Sequence, residues 1–427
     1  MSIALLDVND SNLQWWHDSA HLQSPGYALL AGGQYRFGNP ARAAARLQPR
    51  DINTRFWWQL STEPLQPALG PARHTGDLVH AQLQELHREG GQPPEVLLAV
   101  SGSMQRDQLA LLLGIVQQCP FDAVGLVNRS VALGSLYGPG GRLLHLEIQL
   151  HQAVISELAG RDGMTVLERT LPLPGCGLLQ LQENLVEIIA AAFIRQTRFD
   201  PRRKAATEQQ LYDALPQALR TLGRDGETNL EVAGYRARVG SDELLGAGQR
   251  LCSAATRALP GLQGGDRIIA DPVAGLLPGL AQQLPGLEIL QADSVRQALE
   301  QQLDALVQRG RALSFVTALP ALGGQGATEA TPEPEPAAPR PPPVAAATHL
   351  LQGHRARPLA ADGTSLGQGW ELFRDARGWQ LRGSGAAQVN DAPYRAGQIL
   401  GGGDTIRLDD GASWRLIEVA ARGEAQG

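Results

Sequence analysis

Apolar and polar residues alternate from Leu143 to Leu158, with Leu144, Leu146, Ile148 and Leu150 set against His145, Glu147, Gln149 and His151. A period of two over this length predicts a pair of strands with a tight connection. Yet no glycine, asparagine or proline stands where the chain would turn. Earlier in the chain the pattern predicts short strands at 2–8, 12–16 and 27–30, then VLLAV at 96–100. That strand leads through Ser101-Gly102-Ser103 into a helix from Met104 to Gln118, with Ser103 as its N-cap. AVGLV at 123–127 leads into a second helix that ends near Tyr137.

After Leu143 the order repeats. Strands are expected at 142–149, 152–158 and 164–171, followed by a helix over 178–197 with Leu178, Leu181, Leu185, Ile188, Ile189 and Ala192 along one face. Thr207-Glu208-Gln209-Gln210 reads as a capping box that opens a helix kinked at Pro216. RIIA at 267–270 is a strand, 273–284 a helix and EIL at 288–290 a strand. Ser294 with Gln297 caps the next helix, and ALSFV at 312–316 closes the region. Both halves thus run from a strand meander into alternating helix and strand, the order of an α/β protein with two similar lobes.

Composition then divides the chain. Residues 321–347 are rich in Pro, Ala and Glu, lack apolar periodicity and predict an extended spacer. It separates a large region, 1–320, from a small one, 348–422. A length of 427 residues agrees with more than one domain, and 43% hydrophobic with 19% charged residues is an ordinary soluble balance. Net charge of −6 argues against a nucleic-acid partner. No apolar run is long enough to span a membrane, and MSIALLDVND has neither a basic region nor a cleavage site, so no membrane insertion and a cytoplasmic location are expected. Cys119, Cys176 and Cys252 are too scattered for a disulfide framework or a zinc site, and no metal centre is expected. Lys204 is the only lysine, which excludes any mechanism that needs a lysine upstream of it.

Three segments carry a resemblance. Residues 96–106, VLLAVSGSMQR, resemble the "AVPAxFxxxQR" segment of DnaK-type heat-shock chaperones, and 124–138, VGLVNRSVALGSLYG, resemble their "INEPTAAALAYG" segment. Residues 143–158 follow where those proteins place "DLGGGTxDxS". The order resembles the actin, sugar-kinase and heat-shock-chaperone ATPase superfamily over nearly all of 1–320. The resemblance implies a two-lobed actin-like (ribonuclease H-like) ATPase fold, with ATP held between the lobes by two glycine-bearing turns and magnesium held by acidic residues.

By that resemblance Asp7 stands at the acidic position of the first phosphate turn, with Asn9 in place of its glycine and Asp10 in place of its hydroxyl. Asn9 can adopt positive φ, while the Asp10 charge repels a triphosphate. Glu147 stands near the acidic position of the second turn, whose glycines are replaced by Gln149, Leu150, His151 and Gln152. Arg129 matches the chaperones' "INEP" glutamate. Ala270-Asp271-Pro272-Val273-Ala274-Gly275 matches their adenine-side "GGxSRxP", with Gly275 left to admit the ring. The candidate catalytic pair is therefore Asp7 and Glu147. The candidate cofactor-binding set is Asp7, Asn9, Asp10, Gln149 and Gly275, with ATP and magnesium as cofactors if nucleotide binds and none otherwise. An ordinary polar turn at Asp7–Asp10 and a plain strand pair at 143–158 are the alternative readings.

The small region predicts an all-β sandwich from strand-like runs at 369–375, 378–383, 386–391, 404–408 and 413–419. Residues 388–393, QVNDAP, followed by 398–408, QILGGGDTIRL, resemble the end of forkhead-associated domains. That family grips phosphothreonine through an arginine and a serine in earlier loops. Arg355, Arg357 and Ser365 are the residues available, and Trp370, Trp379 and Trp414 are expected in the core. The sequence leads to a non-catalytic, DnaK-like pseudo-ATPase that acts as a cytoplasmic adaptor or co-chaperone. Its expected partner is another protein, a chaperone or cytoskeletal relative. The alternatives are an ATP-hydrolysing chaperone and a phosphothreonine-peptide reader.

Overall fold

In the computed structural model the described residues are 3–138, 142–259, 266–284, 286–310, 312–322, 347–352, 355–360, 363–367, 369–375, 378–390, 392–409 and 412–417. The chain falls into two compact units that divide between Thr328 and Glu329. Most of the expected spacer, 323–346, lies outside the described residues.

The larger unit is α/β. Its first sheet is built from β1 (Ala4–Val8), β2 (Leu13–His17), β3 (Ala20–Ser24), β4 (Glu95–Val100) and β5 (Asp122–Asn128). Between β3 and β4 comes α1 (Thr75–Glu89), between β4 and β5 α2 (Arg106–Val116), and directly after β5 the short α3 (Arg129–Gly134). The second sheet contains β6 (Leu143–Ile148), β7 (Gln152–Arg161) and β8 (Met164–Pro174). Two long helices follow, α4 (Leu178–Thr197) and α5 (Ala205–Asp225), and then β9 (Arg267–Ala270) and β10 (Leu287–Ile289).

The strand orders are β5-β4-β1-β2-β3 and β10-β9-β6-β7-β8, so the two sheets share one topology. In each, three antiparallel strands are joined by two parallel ones. Phe315–Val316 extends the first sheet beside β5, and Ala318–Pro320 extends the second beside β8.

Both sheets are covered on two faces, which is why β1 and β6 are buried at every position. Leu6, Leu98 and Leu126 pack with Leu78, Leu83 and Leu112 of α1 and α2. Leu144, Leu146 and Ile148 pack with Leu181, Leu185, Leu215 and Leu219 of α4 and α5. A third core, with Leu5, Leu97, Val127, Val131, Leu143, Leu158 and Ile269, fills the space between the sheets.

Several local expectations are corrected. The α2 helix starts after Gln105, whose N–H is held by Gln108 Oε1, because Ser103 is occupied with Ser101 and Gln149 instead of capping. The α5 helix begins at Ala205, and Thr207 donates backward to the Pro201 and Lys204 carbonyls rather than forming a capping box. The helix continues through Pro216. Asp293, not Ser294, holds the N-cap position of the Ser294–Gln301 helix, while Ser294 Oγ accepts the Gln291 N–H. The expected helix over 273–284 is a 3-10 turn, Pro272–Leu276, and a short helix, Leu280–Gln283, separated by Gly279 at positive φ. A hairpin, Glu227–Val232 with Tyr235–Gly240, and the helix Gln249–Ala258 were not foreseen.

The hairpin without a turn glycine is real: β6 and β7 pair from Leu143↔Leu158 to Ile148↔Ala153. The glycine it requires lies elsewhere in the sequence. A Cβ on Gly177, at the start of α4, would overlap the His151 carbonyl carbon and the Gln152 nitrogen.

The smaller unit is all-β. Among its described residues, two antiparallel sheets of six and three strands close on one core that includes Trp370, Leu372, Trp379, Leu381, Ile406, Trp414 and Leu416. All three tryptophans are core residues, as expected. Within the 388–408 stretch, Asn390 Nδ2 donates to Asp404 Oδ1 at 2.8 Å and Asn390 Oδ1 accepts the Thr405 N–H at 2.9 Å. Arg357 and Ser365 lie on strands of different sheets, and the Arg355 side chain lies outside the described residues.

Gly177→Ala is expected to destabilise the larger unit by roughly 3 kcal/mol through backbone overlap at the 149–152 turn. Urea unfolding of the full chain checks this, and a change within about 0.5 kcal/mol, the range of a neutral surface substitution, contradicts it.

Candidate functional site

Strand pleating decides which side chains enter the space between the sheets. Ala4, Leu6 and Val8 of β1 face the α1/α2 core, so Leu5 and Asp7 face inward. Leu144, Leu146 and Ile148 of β6 face the α4/α5 core, so His145 and Glu147 share the inner face with Leu143. The N-cap of α3 is Asn128, whose side chain accepts the Val131 N–H, and this places Arg129 at the first helical position. Asp271 follows the last residue of β9. All five polar residues, Asp7, Arg129, His145, Glu147 and Asp271, are buried.

They converge on the Arg129 guanidinium. Its Nε donates to Asp7 Oδ1 at 2.7 Å, and its Nη1 lies 2.7 Å from Asp271 Oδ1 and 3.9 Å from Glu147 Oε2. His145 Nε2 is 3.4 Å from the same Asp271 oxygen, and its Nδ1 is 2.8 Å from Ser130 Oγ. Asp271 Oδ2 accepts from Asn9 Nδ2 at 3.1 Å and from the Ile148 N–H at 3.4 Å. One cation therefore sits among three carboxylates contributed by both sheets.

The charges are distributed unequally. Burial pushes Asp271 up, but Arg129 and His145 outweigh it and hold the carboxyl at about 2. Burial pushes Arg129 down, yet Asp271, Asp7 and Glu147 together keep its guanidinium firmly charged. For Asp7 and Glu147 burial wins over Arg129 and raises both. Among the described residues, Asp7 Oδ2 and Glu147 Oε2 have no hydrogen-bond partner. Asp271 is an ionised partner of Arg129.

The two turns above this cluster consume their own polar groups. Asp10 Oδ1 accepts the Leu150 N–H at 2.8 Å, and Asn9 Nδ2 reaches the Ile148 carbonyl at 3.3 Å. Asn9 Oδ1 accepts both the N–H and the Oγ of Ser11. The first N–H groups of α4, at Leu178 and Leu179, donate to the Gln149 and Leu150 carbonyls at 2.8 and 3.0 Å. A helix N-terminus that would attract an anion is thereby capped by the turn itself. Gln149 Nε2 donates to Glu147 Oε1 at 2.8 Å and Ser103 Oγ at 3.1 Å, and Gln152 Nε2 donates to Gln149 Oε1 at 2.9 Å. Burial pushes the Asp10 carboxyl up to about 7, with Glu147 adding to the rise and the Leu150 N–H opposing it.

The structure brings Asp7, Asn9, Asp10, Glu147 and Gln149 together around the two turns. Gly275 makes a different contact: it lies against the Ile289 side chain. Sequence reasoning missed the roles of Arg129 and Asp271, which it treated only as departures from a motif. The signal that could have found them is a charged residue placed just past a buried strand, at Asn128-Arg129 and Ala270-Asp271. Among the described residues no three of His, Cys, Asp and Glu are arranged to hold a metal ion.

No family model matches the chain. A curated protein, the tRNA N6-adenosine threonylcarbamoyltransferase of Paracidovorax citrulli (strain AAC00-1), is 39% identical over 88 residues. The matched stretch is 20% of this chain and 24% of that protein, so it spans about a quarter of the relative's length.

Truncating Arg129 to Ala leaves three buried carboxyls without their cation and is expected to cost about 3–5 kcal/mol by urea unfolding. The triple change Asp7→Asn, Arg129→Met, Asp271→Asn is expected to cost less than Arg129→Ala alone. Equal or additive losses contradict the cluster.

A second expectation concerns pH. The folded chain keeps a proton on Asp10 that the unfolded chain releases near pH 4, so stability contributed here falls as pH rises to about 7 and is flat above. Asp10→Asn should therefore gain stability relative to the parent between about pH 4 and 7 and hold that gain above. A pH-independent difference in melting temperature contradicts this.

Proposed function

We propose that residues 1–320 form an actin-like, DnaK-type two-lobed domain that has lost nucleotide chemistry and acts as a protein-binding adaptor or co-chaperone. The repeated strand order of the two sheets supports the fold reading. The observation that carries the functional reading is the Arg129 guanidinium, fixed among Asp7, Glu147 and Asp271 where a cation-dependent ATPase would seat magnesium.

A second substitution accompanies it. The Asp10 carboxylate takes the Leu150 N–H that a phosphate oxygen would need. Any incoming triphosphate would meet this carboxylate and would have to displace Gln149 and Gln152 from their bonds. Binding energy spent on dismantling buried hydrogen bonds is lost to affinity. The smaller unit, a forkhead-associated-like module, supplies a second binding surface on a Pro/Ala-rich tether. The match to a tRNA-modifying transferase covers too little of either chain to carry that activity over, and the net charge of −6 opposes a tRNA partner.

Isothermal calorimetry of the full chain with ATP and magnesium tests the reading. No heat and no phosphate release are expected. Micromolar binding with turnover overturns the adaptor in favour of an ATP-dependent chaperone.

A further inference from the structure

Beside the two turns lies a cavity of about 290 Å3. This is the small end of ligand pockets, which run from about 300 to 1,000 Å3. Its lining combines Asp10, Gln149 and Gln152 with Trp57, Trp58 and Met104. Among the described lining residues Asp10 is the one ionisable group.

The neutral polar groups are already occupied with each other. Ser101 Oγ and Ser103 Oγ are 3.0 Å apart, Gln149 Nε2 reaches Ser103 Oγ at 3.1 Å, and Gln152 Nε2 reaches Gln149 Oε1 at 2.9 Å. At the rim, His151 stacks on Trp58 with ring centroids 5.1 Å apart, and its Nε2 lies 2.9 Å from the Thr54 carbonyl. Burial keeps His151 below its usual range, with its bond to Thr54 opposing the fall and the Arg55 charge adding to it. Trp58 is 37% exposed, so its ring is open to a ligand.

This chemistry sorts ligands. An anion would meet the Asp10 carboxyl, and among the described lining residues no cation stands to bind it. A neutral group gains nothing from ionising Asp10, whose carboxyl is pushed up to about 7, whereas a bound cation favours its charged form. An organic cation gains from both the carboxylate and the indole rings, and an aliphatic stem matches Met104 and the indole edges. We propose that this pocket receives the guanidinium or ammonium end of a basic side chain from a partner protein. The proposal rests on the adaptor reading, in which no triphosphate occupies the cleft, and it names the chemistry of the partner.

The test is calorimetry of the full chain with three blocked tripeptides, Gly-Arg-Gly, Gly-Lys-Gly and Gly-Gln-Gly, and with methylguanidinium as a free cation. The basic peptides are expected to bind roughly ten-fold or more tightly than the glutamine peptide. The partner-side-chain source predicts that they also bind more tightly than methylguanidinium, whereas equal affinity assigns the site to a small free cation and overturns the protein partner. Asp10→Asn, expected to fold at least as stably as the parent, should remove the preference for the basic peptides, and Trp58→Ala should weaken their binding several-fold. Equal affinity for the arginine and glutamine peptides, or binding indifferent to both substitutions, overturns the pocket. Titration with ATP and magnesium runs in parallel. Failure of the peptides while ATP gives no heat removes only this inference, and displacement of the peptides by ATP removes the adaptor reading as well.

Discussion

The arrangement between the sheets depends on one buried charge. Arg129 cannot lose its proton, and it cannot leave the interior without stranding Asp7 and Asp271. Because its partners come from β1, β6 and the end of β9, the ion pairs hold the two sheets in one relative position. A solvent-exposed pair would contribute little, but here the groups are out of water and the cost of separating them is correspondingly large. The carboxyls respond unequally: burial raises Asp7 and Glu147, while Arg129 and His145 hold Asp271 low.

Around that centre the turns behave as a closed hydrogen-bonding system. In a loop that binds phosphate, backbone N–H groups wait for a ligand. Here Leu150 donates to Asp10, Ile148 to Asp271, and Leu178 and Leu179 to the turn carbonyls. The absence of glycine from the 149–152 turn and the presence of Gly177 beneath it are two sides of one constraint. The turn needs no unusual freedom, because it packs tightly against a helix start that must itself be bare.

Much of this was legible in the sequence where side-chain period and burial agree. The β6–β7 hairpin and α4 follow from alternation and from a 3.6-residue apolar face. Local capping was read less well, because Ser103, Thr207 and Ser294 each found a partner other than the helix they precede or begin. Such choices depend on tertiary neighbours that no short window contains. The hairpin Glu227–Gly240 was missed although its alternation is regular. At the site, Asp7, Asn9, Asp10 and Glu147 were visible as polar residues at strand ends. The meaning of Arg129 and Asp271 was not, since it arises from a meeting of residues 122 and 264 positions away from Asp7 along the chain.

Hydrogen exchange at single-residue resolution tests the closed-cleft account most directly. Amides that are already paired should exchange only through opening of the structure. The account predicts that Ile148, Leu150, Leu178 and Leu179 are strongly protected in the free chain and that ATP with magnesium leaves them unchanged. Rapid exchange at these amides in the free chain, slowed by ATP and magnesium, would contradict it.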